Sequence, residues 1–137
     1  MKYNSPVENK KQTGRIINIA SLGAVENWTG YIPYSLAKSG VHKLTQQLGK
    51  KLAPYILVNA IAPGFLLTKQ NESLLRNPDG SLTPRSLKIL NSTPMGRFGE
   101  PEELLGALLF LVCEEASSFV NGVVIPIDGG FSAYSGV

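Results

Sequence analysis

Only one cysteine and one histidine occur among the 137 residues. Cys113 has no intrachain disulfide partner, so a reducing compartment such as the cytoplasm fits. Its setting, "LLFLVCEE", predicts a buried helical thiol rather than a nucleophile. A lone histidine, His42, excludes a histidine-based metal cluster, and no metal is expected. It falls on a predicted helix and is expected at its surface. No apolar run approaches the roughly 20 residues that cross a bilayer, so no membrane partner is expected. The amino-terminal stretch "MKYNSPVENKKQTG" is polar and has no signal-peptide core. A strong charge bias is absent too: the formal net charge is +3. Lysines are scattered except for Lys10-Lys11 and Lys50-Lys51, which a solvated surface explains better than a nucleic acid partner. There is no internal repeat and no low-complexity segment.

What is present is globular. Hydrophobic residues make up 43% and charged residues 17%, against the opposite balance of a disordered chain. The length suits one domain. Residues 1–14 are polar and read as irregular or as the end of a helix. "RIINIAS", Arg15 to Ser21, is a short apolar run that predicts a strand buried on both faces. Residues 22–33 carry glycines, Asn27 and Pro33 and read as a loop. From there the period changes. Leu36, Gly40, Leu44, Leu48 and Leu52 recur every four residues, with Ala37 and Val41 beside them, which predicts the apolar face of a helix over 32–53 stopped by Pro54. "YILVNAIAPG" is a second buried strand closed by Pro-Gly. The mixed stretch 65–94 holds a turn at "NPDGS" and a short helix after Thr83, with Pro84 at its first position. A further helix begins around Pro101, with Glu100, Glu102 and Glu103 at its positive end. "GVVIPIDGG" is a third strand. Strands alternating with helices imply parallel pairing and an α/β layered fold. Ligands in such folds sit beyond the carboxyl ends of the strands, here Ser21, Pro63-Gly64 and Asp128-Gly129-Gly130.

Three groups near the first of those ends suit one chemistry. Tyr34 and Lys38 are four apart, hence one turn apart on one helix face, and Ser21 precedes the tyrosine by thirteen residues. A free phenol titrates at about 10 and is a poor base at neutral pH. A cation beside it favours the phenolate. A phenol tuned in this way can exchange protons near neutrality, as general acid–base catalysis requires. A serine hydroxyl could bond and orient the same substrate oxygen. Together the three describe a device for moving a proton on a carbonyl or alcohol oxygen. The matching hydride at the neighbouring carbon needs a cofactor. Tyr-x-x-x-Lys is by itself a common accidental helix spacing. Its weight comes from the serine at the preceding strand end.

At these residues the chain resembles the short-chain dehydrogenases/reductases, over the family's carboxyl-terminal half. "INIAS" is similar to the family's catalytic-serine strand and "YSLAKSGV" to its Tyr-x-x-x-Lys helix. "VNAIAPG" with Thr68 is similar to its Pro-Gly segment, and "PMGRFGEPEEL" and "GVVIPIDGGFS" to its later helix start and last strand. The resemblance implies a partial Rossmann-like three-layer fold with a parallel sheet. Residues 15–137 would be the catalytic half of the domain. It also implies roles: Tyr34 as acid/base, Lys38 favouring the phenolate and binding the nicotinamide ribose, Ser21 holding the substrate carbonyl. Pro63, Gly64 and Thr68 would join Tyr34 and Lys38 around an NAD or NADP cofactor. Asn59 would be structural. "AIAPGFLLTKQN", "LTPRS" and "FSAYSGV" are most similar to D-mannonate oxidoreductase-like members, which interconvert a sugar acid and its keto form. A small carbonyl or alcohol substrate and a homo-oligomer follow as implied partners.

The chain departs from the family in what would form its amino-terminal half. It has neither Gly-x-x-x-Gly-x-Gly nor Gly-x-Gly-x-x-Gly, the glycine-rich turn that holds a pyrophosphate. Also absent are the residue that selects NAD or NADP and the asparagine of the proton relay. The 137 residues alone are therefore expected to bind cofactor poorly and to turn nothing over. The alternative is an inactive α/β module that only oligomerises. Ala20 stands where a serine is frequent and Leu57 where an arginine is common, and neither change removes a catalytic group. The strand Arg15–Ala20 would be an exposed edge inviting self-association. Trp28 and Tyr31 could line the substrate cleft or simply pack. Lys69, Arg76 and Arg85 lie in the long mixed segment, where one could meet a substrate carboxylate or each could be a solvated charge. Asp128 is expected to cap a turn.

Overall fold

The computed structural model describes residues 14–24, 30 and 32–134. Trp28 and Tyr31, weighed above as cleft residues, lie outside the described residues, as does the polar stretch 1–13.

Three parallel strands form the sheet, in the order β1 (Gly14–Ile19), β2 (Ile56–Pro63), β3 (Val124–Ile127). Ile16 pairs with Val58 and Ile61 with Ile125. β2 is central and buried from Leu57 to Ala62. Residues of both parities are hidden, so both faces of β2 are covered. On one face Ala60 and Ala62 pack with Ala20, Val41 and Val124, placing the helix α1 (Ile32–Leu52) there. The helix α4 (Leu105–Val112) contacts β1 and β2 and buries Leu111. The result is the expected α/β arrangement with a parallel sheet between helical layers.

Between β2 and α4 come α2 (Glu72–Leu75) and α3 (Pro84–Asn91), and α5 (Glu114–Ser117) follows α4. The turn at "NPDGS" forms as expected: the Gly80 N–H donates to Asn77 O, and Asp79 accepts from Ser81. The segment after Glu100 starts as a 3-10 turn over Pro101–Leu104 before α4 begins.

Polar side chains fasten the layers. Asn18 Nδ2 on β1 donates to Thr45 Oγ1 on α1 at 3.0 Å, and Thr45 is fully buried. Arg15 Nη1 reaches Ser117 Oγ at 3.2 Å and Leu111 O at 3.4 Å, at the end of α4 and in α5. On β2, Asn59 Nδ2 donates to Val120 O at 2.9 Å and its Oδ1 accepts from the Val123 N–H at 3.1 Å. Asn59 has no exposure and makes the structural bonds expected of it. Ala20 and Leu57, the two departures from the family pattern, are both buried, Ala20 against Ala60 and Ala62.

Three expectations are corrected. The first strand, expected to be buried on both faces, leaves Ile16 and Ile19 exposed, because β1 is an edge strand among the described residues. The leucine face of α1 is not its core face. Leu36 is 68% and Leu44 47% exposed, whereas Thr45 and Gly49 are buried. The reason is at Gly49, where a Cβ would meet Asn121 Oδ1 at 2.9 Å and Gly122 N at 3.1 Å: the helix packs closely on the segment leading into β3 through a small residue. Cys113 is likewise exposed. The helix stops at Val112, and Cys113 turns into extended backbone with its Sγ donating to Glu115 Oε2 at 3.2 Å.

Candidate active site

β1 ends at Ile19 and Ser21 follows two residues later, at the carboxyl end of the sheet. Ser21 Oγ accepts the Gly23 N–H at 3.1 Å, which fixes the side chain at the start of a 3-10 turn over Leu22–Ala24. A hydroxyl that accepts in this way keeps its own O–H to donate. The α1 helix opens beside it, with Pro33 in the first turn, where the missing N–H costs nothing. Two bonds hold this end of α1 down: Lys38 Nζ donates to Ile19 O at 2.9 Å, and Ser39 Oγ to Ala24 O at 2.9 Å.

These anchors bring Tyr34 over Ser21. Both line one cavity of about 290 Å³ together with Leu22, Pro63, Gly64, Phe65 and Arg85. Tyr34 is 45% exposed, so its phenol is open to a ligand. Lys38 does not line this cavity. Its ammonium lies 5.9 Å from the centroid of the Tyr34 ring, within cation–π range, and the bond to Ile19 leaves donors over on an ammonium that has three.

The second strand end meets the third at Gly64, whose N–H donates to Ile127 O at 2.9 Å. A Cβ there would come within 2.7 Å of Asp128 Cα, so only glycine fits. Asp128 caps the turn as expected. Its carboxylate accepts from the Gly130 N–H and from the Ser132 N–H and hydroxyl. Burial pushes this carboxyl up, but the bonds from Ser132 and Gly130 outweigh that and hold it below the usual range. Thr68 stands apart from the cavity lining, in a loop where its N–H donates to Asn71 Oδ1 at 2.9 Å.

The structure thus brings together Ser21, Tyr34, Pro63 and Gly64, sets Lys38 next to Tyr34, and leaves Thr68 outside. Leu22 and Phe65 were not singled out from the sequence. Phe65 directly follows the Pro-Gly end of β2, and that position was the available signal. A second space of about 300 Å³ shares Ser21 and Leu22 and is lined by His42, Ala62, Val124, Pro126 and Ser132. His42 is half-buried there rather than at the helix surface. Among the described residues no group of three or more His, Cys, Asp or Glu could hold a metal ion, and no helix is long and apolar enough to cross a membrane.

Comparison with known proteins shows the family of the chain and its fold. A family model described as enoyl-(acyl carrier protein) reductase matches residues 1–132, and the chain belongs to the short-chain dehydrogenase/reductase family. It is 56% identical over 128 residues to an uncharacterized oxidoreductase of Haemophilus influenzae, covering 93% of this chain and 45% of that protein. A crystal structure of a candidate D-mannonate oxidoreductase from the same species, with bound NAD, superposes with a TM-score of 0.87 at 56% identity. The match covers 93% of this chain and 46% of that one. A candidate 2-deoxy-D-gluconate 3-dehydrogenase of Agrobacterium tumefaciens with bound NADP gives a TM-score of 0.79 at 38% identity, over 88% and 47% of the two chains. The chain therefore spans about half the length of the relatives it matches.

Proposed function

We propose that residues 15–137 are the catalytic half of a nicotinamide-dependent oxidoreductase that interconverts an alcohol and a carbonyl. The observation that carries this is the shared cavity of Ser21 and Tyr34, with Lys38 pinned beside the tyrosine. Ser21 donates its hydroxyl hydrogen to the substrate oxygen and fixes its direction. Tyr34 gives the proton to that oxygen in reduction and takes it in oxidation. Lys38, held by Ile19 O, keeps its ammonium beside the Tyr34 ring and offers its remaining donors to the cofactor ribose. The bound cofactor, NAD or NADP, carries the hydride. The residues present fit its nicotinamide end: a cavity at the strand ends, a cation with donors over, and the close-packed Gly64 turn as a wall. The substrate is a sugar acid of the mannonate/fructuronate kind, a reading supported by the motif resemblance and by the D-mannonate oxidoreductase candidate above. A reducing compartment such as the cytoplasm suits the lone, exposed Cys113.

A second reading is favoured by the apolar surface. Ile32, Leu36 and Leu44 on α1 and Leu105, Leu109 and Val112 on α4 are all exposed by about half or more. On this reading the chain is an oligomerising α/β module without activity of its own.

Fluorescence titration of the 137-residue chain with NADH separates the two. The catalytic-half reading expects weak binding, beyond the micromolar range, that is lost in Lys38→Met. Losing the pyrophosphate contacts costs several factors of ten, at about 1.4 kcal/mol each. No binding at any concentration favours the oligomerising module. Micromolar binding that ignores Lys38→Met contradicts the half-site.

A further inference from the structure

Three cations in the long segment after β2 were equal candidates for a substrate carboxylate, and the structure separates them. Arg76 closes the turn before α3, its Nη1 donating to Gly80 O at 3.3 Å. Lys69 is exposed and lines none of the spaces described above. Arg85 lines the cavity of Ser21 and Tyr34, and among the described residues that do it brings the only formal charge.

We propose that Arg85 receives the carboxylate of the substrate and makes this site selective for short polyhydroxy acids over the corresponding neutral polyols. The proposal rests on the reading of Ser21 and Tyr34 as the reacting end. The rest of the wall is Leu22, Pro63, Gly64 and Phe65, which offer no charge. A carboxylate entering such a wall loses water and is costly unless it is paired and hydrogen-bonded. A guanidinium fork matches a carboxylate with two parallel bonds.

The backbone carrying Arg85 is fixed on both sides. Thr83 caps α3, its Oγ1 accepting the Ser86 N–H at 3.2 Å and bonding back to Leu74 O at 3.1 Å. Pro84 sets the first helical position. Ser86 is fully buried and donates its hydroxyl to Leu75 O. Arg85 therefore projects from a braced turn rather than a loose loop. A substrate held at its carboxylate by Arg85 and at its reacting oxygen by Ser21 has one orientation along the cavity, which selects the hydroxyl presented to Tyr34. The volume, about 290 Å³, lies at the small end of the roughly 300–1,000 Å³ of ligand sites and suits a compact molecule.

The test is a heteronuclear NMR titration of the 137-residue chain with D-mannonate and, separately, D-mannitol. D-mannonate is expected to shift the signals of Ser21, Tyr34, Gly64 and Arg85 at lower concentration than mannitol does. In Arg85→Gln the affinity for D-mannonate falls by about 10- to 100-fold, to that of mannitol, as for a lost hydrogen bond to a charged group. The mannitol affinity stays put, and Arg85→Lys keeps part of the preference. The variant spectra also report whether each still folds. Equal binding of the two ligands at Ser21 and Tyr34 overturns the carboxylate role and leaves the reacting end standing. Shifts confined to other surfaces, or none up to tens of millimolar, overturn both. A preference that survives Arg85→Gln also overturns the proposal.

Discussion

β1 and β2 are both short, apolar and parallel, and they pair residue for residue, yet only β2 is buried. β2 has a strand on each side and cover on both faces. Its one polar residue, Asn59, is satisfied twice by backbone groups. β1 has a neighbour on one side only among the described residues. Ile16 is 36% and Ile19 51% exposed, although "IINI", like "ILVNAIAP", is apolar apart from one asparagine. The difference lies in what surrounds each strand. Composition reports that a strand wants cover; it does not report which cover this chain contains. The same contrast divides the site: Gly64 is packed against Asp128 with no room for a Cβ, whereas Tyr34 is 45% exposed.

Paired substitutions break or sharpen this contrast. Asn59→Leu should be the severe one. It puts an apolar side chain where the fully buried Asn59 bonds the Val120 carbonyl and the Val123 N–H, and each group left unsatisfied away from water costs about 1–3 kcal/mol. Denaturant unfolding should show a loss of several kcal/mol. Ile16→Thr on β1 should cost less than about 1 kcal/mol, as partly exposed positions do. A cost for Ile16→Thr that matches Asn59→Leu, or that grows with protein concentration, would show that the β1 edge is covered by a second copy.

The smallest expected effect is at the 3-10 turn before α4. Arg97 holds Glu103 in a two-bond pair of 2.7 and 2.6 Å, and the Glu100 N–H donates to the same carboxylate. The Arg97 bonds first, then the Glu100 N–H, lower the Glu103 carboxyl to about 2. A carboxyl depressed in the folded state adds stability above its ordinary value, and that stability is lost as pH falls toward about 2. Both groups are exposed, so solvent screening keeps the effect small. NMR titration of Glu103 should show the depressed midpoint, returning toward the ordinary carboxylate range in Arg97→Ala. An unchanged midpoint in that variant would remove the pair as the cause.

Much of the architecture was legible because it is local. Pro84 and Thr83 announced the start of α3, "NPDGS" its preceding turn, and the apolar runs their strands. The placement of Tyr34 and Lys38 on one helix face followed from their spacing. What could not be read was which face of α1 turns inward. Leucines every four residues outweigh Val41, Thr45 and Gly49 in hydrophobicity, but close approach to Asn121 and Gly122, just before β3, selects a small residue at Gly49. Cys113 misled for a related reason: its apolar neighbours belong to α4, which stops one residue before it. Arg85 could not be told from Lys69 and Arg76 by type or position, because only the fold decides which of the three reaches Ser21 and Tyr34.

The central claim is that Tyr34 transfers the proton. It is tested most directly by steady-state turnover of Tyr34→Phe in a protein joining this chain to the family's glycine-rich half, with cofactor affinity measured on the same sample. Phe keeps the ring against Lys38 and removes only the phenolic oxygen. The account expects turnover to fall by roughly 100-fold or more, as for a lost general acid–base group, while cofactor affinity is nearly unchanged. A variant that keeps more than about a third of the turnover would contradict it, since a placed proton donor contributes far more than that.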